Sequence, residues 1–458
     1  TLKYNIILLC VIHFILDRLK VKLYYSKSEV TMNMMKCQMQ RFRILSPSSS
    51  SLSSLSCDPS ILETSRSRNN KITTNRIVRT YSCTRSNPMT TTTIESESSP
   101  NKTSLWFRHT QLPKTASIIG APMTYGQPYV GTDHGPKRLR GKGLLQQLSS
   151  LGWRINDMPD LDFESMSQEV YGKVQLQPQP DQQQRQQEQE EDGDMDNLTT
   201  TTSYNSNSNS AHPNAKHSTL VGKGCLMLAE LVYEERSNGR FPVVLGGDHS
   251  IAIGTLAGLL QAQPSTGVLW IDAHADLHTP WSSPSGNIHG MPLGFLLKNH
   301  LHRGGVAGFS WLDDGLFPTR LPSNSLVYIG LRDVDASERF FLKQFNIRTY
   351  TMHDIDRYGI GYVMEEALDY LGKDRPLHVS YDIDAIDPTH APATGTAVRG
   401  GLTYREAHYV AEAVASSGNL ASVEMVELNP MLAEKEGGEN TVELALGILT
   451  SLMGKSIL

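Results

Sequence analysis

Carboxylates and imidazoles recur just beyond five separate apolar runs between Val243 and Pro430. They are Gly-Gly-Asp-His-Ser at 246–250, Asp-Ala-His-Ala-Asp at 272–276, Arg-Asp-Val-Asp at 332–335, Ser-Tyr-Asp-Ile-Asp at 380–384 and Glu-Leu-Asn-Pro at 427–430. In an extended or tightly turned segment alternate side chains share a face, so Asp272, His274 and Asp276 can point at one centre, and Asp382 and Asp384 repeat that geometry. His249 follows a glycine pair that lets the backbone turn sharply at a strand end. Together these positions supply four carboxylates and two imidazoles. Four negative charges in one crevice repel strongly at low dielectric, and two divalent cations neutralise them in formal charge. Carboxylate-rich ligation with imidazole and no thiolate favours manganese or magnesium over a structural zinc site, with zinc, cobalt and nickel as competitors on affinity. A metal pair about 3.5–4 Å apart can share a water, lower its pKa and make hydroxide available near neutral pH. Each motif alone is weak, since a lone Asp-x-His serves equally as a turn or a cap. Their joint occurrence at successive strand ends is what points to a metal site.

The apolar runs that precede these motifs, among them Val243-Val244-Leu245, Val268–Ile271 and Leu377-His378-Val379, read as strands buried on both faces of a parallel sheet. Ligands gather beyond the carboxyl ends of such strands, so four of the motifs are expected to converge on one crevice, with a fifth placed to read the substrate. Helical and strand patterns alternate from Lys114 to Leu458, which predicts an α/β fold: a central, mostly parallel sheet flanked by helices on both faces, in three layers. The pattern predicts a first strand at 116–120, a Gly/Pro-rich loop over 121–135, one helix over 139–151 and a second strand from Trp153. A further helix is predicted over Leu220–Arg236, ended by Asn238-Gly239 before a strand at 242–245. The Met and Leu residues at 226–232 are read as core-facing positions of that helix.

Only part of the 458 residues has the composition of a packed core. Residues 1–110 are expected to form a disordered N-terminal extension, and 111–458 a catalytic domain of roughly 300 residues once biased segments are set aside. From Met32 the extension is rich in arginine and serine and poor in acids. It fits either an organelle transit peptide with a processing point near Arg79-Thr80-Tyr81-Ser82, or a disordered tail that targets nothing, so mitochondrial and cytoplasmic locations both stay open. Within the domain, about 174–216 is glutamine-rich, then acidic, then rich in threonine, serine and asparagine, and reads as a solvated surface insertion. A net charge of −5 without a basic face argues against nucleic acid and for a small-molecule partner. Of five cysteines only Cys225 falls in the folding portion, which excludes a disulfide framework there and fits a reducing compartment. The apolar run 5–16 is too short to span a bilayer, and no membrane segment is expected.

Gly246–Ser250, Asp272–Asp276, Ser285-Gly286-Asn287-Ile288-His289-Gly290, Ser380–Pro388 and Ala393-Thr394-Gly395-Thr396 resemble the ureohydrolase superfamily, and specifically the arginases. The resemblance runs from Lys114 to the C-terminus apart from the insertion. It implies that His249, Asp272, Asp276 and Asp382 hold one Mn2+ and that Asp272, His274, Asp382 and Asp384 hold a second, with Asp272 and Asp382 bridging. It implies attack of a metal-bridging hydroxide on the guanidinium carbon of L-arginine, giving L-ornithine and urea, with Asp276 orienting the hydroxide. His289 matches the family's proton shuttle, and Glu427 the carboxylate that pairs with the guanidinium, a planar bidentate partner. Glu424, three residues earlier, is read as structural. Asp335 and Glu338 are expected at the α-amino group, with Ser285 and Thr396 nearby. One departure stands out: after Asp276 the arginases usually read Ile-Asn-Thr, whereas this chain has Leu277-His278-Thr279, which places His278 at the α-carboxylate. A histidine can still donate a hydrogen bond there and, if protonated, attracts the carboxylate more strongly. Arg405-Glu406 resembles a charged pair that arginases place at a trimer interface, and reads equally as a solvated surface pair; the resemblance implies a homo-oligomer, a trimer first. The alternatives are an agmatinase or another guanidino-compound hydrolase and, from another class, a non-catalytic regulatory homologue.

Overall fold

Runs of β-branched and aromatic residues form eight strands: β1 (Thr115–Ala121), β2 (Arg154–Asp157), β3 (Phe241–Gly246), β4 (Gly267–Ile271), β5 (Leu326–Leu331), β6 (Arg348–Thr351), β7 (Leu377–Asp382) and β8 (Leu420–Val426). They are seen in a computed structural model of the chain, which describes residues 115–172, 213–298, 304–313 and 315–456. The N-terminal extension with its four cysteines, and most of the insertion, lie outside the described residues. The strands make one sheet in the order β2-β1-β3-β8-β7-β4-β5-β6, and every pairing is parallel.

Successive strand residues feed opposite layers, as a pleated backbone dictates. Val243, Leu245, Leu269 and Ile271 pack with the helices Gly135–Gly141, Ile360–Leu371, Tyr404–Ser417 and Lys435–Leu452. Val244, Val268 and Trp270 pack on the other face with Ser218–Ser237 and Ala252–Ala262. This is the predicted three-layer α/β fold. Both sheet faces are covered, so the inner strands are fully buried, and each large apolar side chain there contributes about 1.5–3 kcal/mol.

The order also sets the site. Strands β3, β8, β7 and β4 are immediate neighbours, so the residues just past their carboxyl ends share one crevice where the chain's winding reverses.

Local structure departs from expectation in four places. The helix expected over 139–151 is two helices, Gly135–Gly141 and Leu144–Ser150, because Gly143 takes φ 90° and breaks the run. A helix at Phe163–Tyr171, unforeseen, starts where the Asp162 side chain accepts from Ser165 N at 2.9 Å. Among the 226–232 positions Leu228 is buried but Met227 is 40% exposed, so that face is not wholly core. The Gly246-Gly247 pair does not serve as a sharp left-handed turn, since neither residue has a positive φ. Gly247 is needed for close approach: a Cβ there would lie 2.0 Å from the backbone oxygen of Met123. No helix among the described residues is long and apolar enough to cross a membrane.

Candidate active site

His249 leaves β3 at the start of a one-turn helix whose N-cap is Asp248, and its ring is stacked on Trp270 of β4, centroids 4.2 Å apart and 7° from parallel. Its Nδ1 is buried with no hydrogen-bond partner, yet carboxylate oxygens of Asp272, Asp276 and Asp382 surround it at 3.2, 2.9 and 3.1 Å. His274 Nδ1 in turn lies 3.5 Å from Asp272 and 3.0 Å from Asp384. Two donor sets result, His249/Asp272/Asp382 and Asp272/His274/Asp384, and in each the ligand atoms lie within 4.8 Å of one another. Asp272 belongs to both. All six predicted ligands are therefore brought together.

The electrostatics of this cluster call for cations. Burial first, then the charges of Asp384 and Asp272, push the Asp382 carboxyl well above the usual range. Burial and the Asp272 charge likewise raise Asp276. Carboxylates packed this closely stay ionised only with positive charge among them, and an orphaned imidazole nitrogen facing three carboxylates is a donor set for a metal. The acids and imidazoles fit divalent ions with oxygen and nitrogen preference. Asp276 takes φ 48°, a left-handed conformation uncommon for a residue with a Cβ.

A layer behind the ligands holds them in place. Trp270 Nε1 donates to Asp272 Oδ2 at 2.9 Å, and Thr396 Oγ1 donates to Asp384 Oδ2 at 3.0 Å. Thr396, expected near the substrate's amino-acid end, thus also anchors an acid of the cluster. Arg332, just past β5, donates from Nη2 to the Asp384 and Val398 carbonyls at 2.6 and 2.8 Å, pinning the turn after β7 from across β4. This role was not evident from the motif. Ser380 and Glu424 stand behind His249.

Beyond β8, Glu427 also adopts a left-handed backbone, φ 60°, and is 1% exposed. Its Oε1 accepts from His249 N at 2.8 Å and lies 3.3 Å from His289 Nδ1, and its Oε2 accepts from Gln127 at 3.0 Å. Direct pairing with a guanidinium would require one of these bonds to be exchanged. Burial pulls the His289 pKa down, but the hydrogen bond and charge of Glu427 outweigh it, and the net shift is upward. Gln127 was missed by the sequence reading, because nothing local marks a glutamine 300 residues from its partner.

A cavity of about 220 Å³ opens onto these groups, lined by His274, Asp276, Asp382, Asp384 and His289 at one end and His278, Ser285, Asn287, Asp335 and Glu338 at the other. At the second end His278 Nε2 lies 2.9 Å from Asp335 Oδ2. Burial lowers the His278 pKa, while the hydrogen bond to Asp335 and the Glu338 charge raise it further, so the net shift is upward. Asp335 caps the helix Ala336–Gln344, accepting from Glu338 N at 2.8 Å, and Glu338 completes a reciprocal capping box. Glu338 Oε1 also accepts from Leu277 N at 3.0 Å, and burial raises its carboxyl to about 7. Both its oxygens are held by backbone amides, so it fixes Asp335 and the 276–278 turn. Ser285 Oγ accepts from Asn287 N at 3.2 Å, and Asn287 joins it on the cavity wall, a second residue the sequence reading left out.

The Arginase family model matches residues 114–454. The mitochondrial arginase-2 of Homo sapiens is 41% identical over 347 residues, covering 75% of this chain and 85% of that protein. The arginase of Glaciozyma antarctica is 38% identical over 349 residues, 76% of this chain and 89% of that protein. Among solved structures, native arginase from Bacillus caldovelox superposes with a TM-score of 0.61 at 36% identity, covering 76% of this chain and all of that one. With a family model matched over residues 114–454 and relatives about 40% identical over most of their length, on an eight-stranded parallel sheet, this chain belongs to the arginase family.

Proposed function

We infer that the protein is a metal-dependent hydrolase that converts L-arginine to L-ornithine and urea. The observation that carries the reading is that two donor sets sharing the buried Asp272 reach one cavity through His274, Asp382 and Asp384, with Asp276, His289 and the His278–Asp335 pair also on its walls. His249, Asp272, Asp276 and Asp382 would hold one ion, and Asp272, His274, Asp382 and Asp384 the other. Two Mn2+ fit best, since the set is rich in carboxylate, contains imidazole and has no thiolate. Divalent cations held there would supply hydroxide near neutral pH by making a bound water more acidic.

The chain's own residues do the rest. His278 and Ser285 take the α-carboxylate, Asp335 takes the α-amino group, and the extended side chain delivers its guanidinium to the acid cluster. Asp276 accepts a hydrogen bond that orients the nucleophile. Glu427 engages Nδ1 of His289, which leaves Nε2 to give a proton to the departing amine and to exchange protons with solvent. The shift of His289 toward the protonated form suits that donor role. Buried negative charge at Glu427 also favours a cationic guanidinium nearby.

Urea release from arginine and agmatine at equal concentration by purified, metal-loaded protein tests the reading. Arginine should be preferred, and a preference for agmatine would replace the substrate; no turnover of either would favour a non-catalytic role. We also propose a homotrimer, with exposed Arg405 at the contact, to be checked by sedimentation. A fragment beginning near Thr110 is expected to fold and to retain activity, which would assign residues 1–110 to targeting or to an inert tail.

A further inference from the structure

A chain of fully buried polar groups runs backward from His249 through the sheet. His249 Nε2 lies 2.8 Å from Ser380 Oγ on β7, and Ser380 Oγ donates to Glu424 Oε1 on β8 at 2.7 Å. His378 Nε2 approaches the same Glu424 oxygen at 3.4 Å, and His378 Nδ1 lies 2.8 Å from Ser422 Oγ. His378, Ser380, Ser422 and Glu424 are all 0% exposed. Register explains the contacts: parallel pairing sets Ser380 opposite Glu424 and His378 opposite Ser422 on adjacent strands. The turnover described above uses none of these four residues. Four buried polar side chains between two apolar layers are costly unless their bonding does something.

The donor directions are forced. A carboxylate only accepts, so the Ser380 hydroxyl hydrogen must point at Glu424. The remaining capacity of Ser380 Oγ toward His249 is to accept, so Nε2 must carry the hydrogen. A neutral imidazole with hydrogen on Nε2 presents its lone pair at Nδ1, the atom that faces Asp272, Asp276 and Asp382. Trp270, stacked on the ring, fixes its plane, and Ser380 fixes which nitrogen faces the acids.

We propose that Glu424, acting through Ser380, is a positioning residue that selects the Nε2–H tautomer of His249 and so sets the affinity of one of the two metal positions, leaving the other to His274. The inference rests on the two-ion reading given above. Without the carboxylate the serine hydroxyl is free to turn and donate to Nε2, which stabilises the hydrogen on Nδ1 and closes that nitrogen to an ion. His378 and Ser422 supply the donor and the hydroxyl that keep Glu424 in place from the far side.

The test is a titration of metal-free full-length protein with Mn2+, with free ion counted by its paramagnetic resonance signal, on the native protein, Glu424→Gln and Ser380→Ala. Melting of each metal-free protein is recorded alongside. Native protein should take up two equivalents. Each variant should take up one with native affinity and a second weakened about ten- to a hundredfold, the usual consequence of losing the group that orients a ligating histidine. Metal-free melting temperatures close to native would separate this from a general loosening of the sheet. Should Glu424→Gln fail to fold, Ser380→Ala, a smaller change, carries the same prediction. Variants that bind both ions as the native protein does, or that weaken both equally, would overturn the proposal. Native protein that takes up fewer than two equivalents would instead overturn the two-ion reading on which it rests.

Discussion

His278 Nε2 sits 2.9 Å from the Asp335 carboxylate, joining the turn after β4 to the N-terminus of the helix that follows β5. The pair sets an imidazole shifted toward its protonated form beside a carboxylate on the cavity wall, and in the proposed reading it meets the substrate's α-carboxylate and α-amino group. His278→Ala is expected to lower kcat/KM for arginine about tenfold, nearly all through KM, since a charge-assisted hydrogen bond contributes about 1.5–3 kcal/mol. Agmatine, which has no carboxylate, should be unaffected. The pH dependence has a definite sign. The folded pKa of His278 is raised above its unfolded value of about 6.5, so its contribution to stability is complete below that pH and is lost as pH climbs through the raised folded value. Arginine affinity should weaken over the same interval, and an equal decline in His278→Ala would assign the titration elsewhere.

His289 and Glu427 predict a separation of binding from chemistry. His289→Ala should keep its metal and lose roughly 10²- to 10⁴-fold in kcat, the range for a positioned acid or base. Glu427 raises the His289 pKa, so Glu427→Gln should move the alkaline limb of the kcat profile to lower pH. Metal content by elemental analysis and a pH series on both variants would check this, and full turnover in His289→Ala would remove it from the mechanism.

Removing metal should destabilise the protein, because Asp276 and Asp382 are then left buried among like charges. Re-addition at about a hundred times the dissociation constant should restore roughly 2.7 kcal/mol per independent site. Asp272→Ala should abolish both ions, since that carboxylate belongs to both donor sets, whereas His274→Ala should spare the one at His249. Thermal melting with and without Mn2+ distinguishes these cases. A metal-free protein melting at the same temperature as the loaded one would contradict the electrostatic reading of the cluster.

The clustering of the six acid and imidazole residues was legible in the sequence because parallel strands buried on both faces put their next residues in one crevice, and Asp-x-His-x-Asp or Asp-x-Asp beyond such a strand leaves few other uses for the charge. His289, Glu427 and the His278 departure were legible only through family resemblance. What stayed hidden was support from across the sheet. Ser380 and Glu424 read locally as ordinary strand residues, and their contact depends on β7 and β8 being neighbours in register, which no local pattern reveals. Gln127 and Arg332 were missed for the same reason, since each reaches a partner at least 50 positions away. The break at Gly143 was hidden differently: apolar spacing continues across it, and one left-handed glycine outweighs the periodicity.

Asn214, in the last few residues of the segment expected as an insertion, grips the loop that carries Ser285 and Asn287. Its backbone N–H donates to Pro280 O at 2.6 Å, and its Nδ2 donates to the carbonyls of Ser283 and Pro284 at 3.1 and 3.3 Å. Lys216 N adds a bond to Gly286 O at 2.8 Å, and a Cβ at Gly286 would lie 2.3 Å from Asn214 Oδ1, so the two strands of chain are in close contact. Asn214→Ala removes two side-chain bonds but keeps the backbone one, and each net bond is worth about 1 kcal/mol. KM for arginine should rise several-fold, with kcat and metal content little changed, because the loop touches the amino-acid end of the cavity and none of the six ligands. Asn214→Asp should be worse than alanine, since it sets a carboxylate against two carbonyl oxygens where a donor stood. Steady-state kinetics on the two variants decide the matter: equal KM values for native and Asp variants would mean that this end of the insertion does not shape substrate recognition.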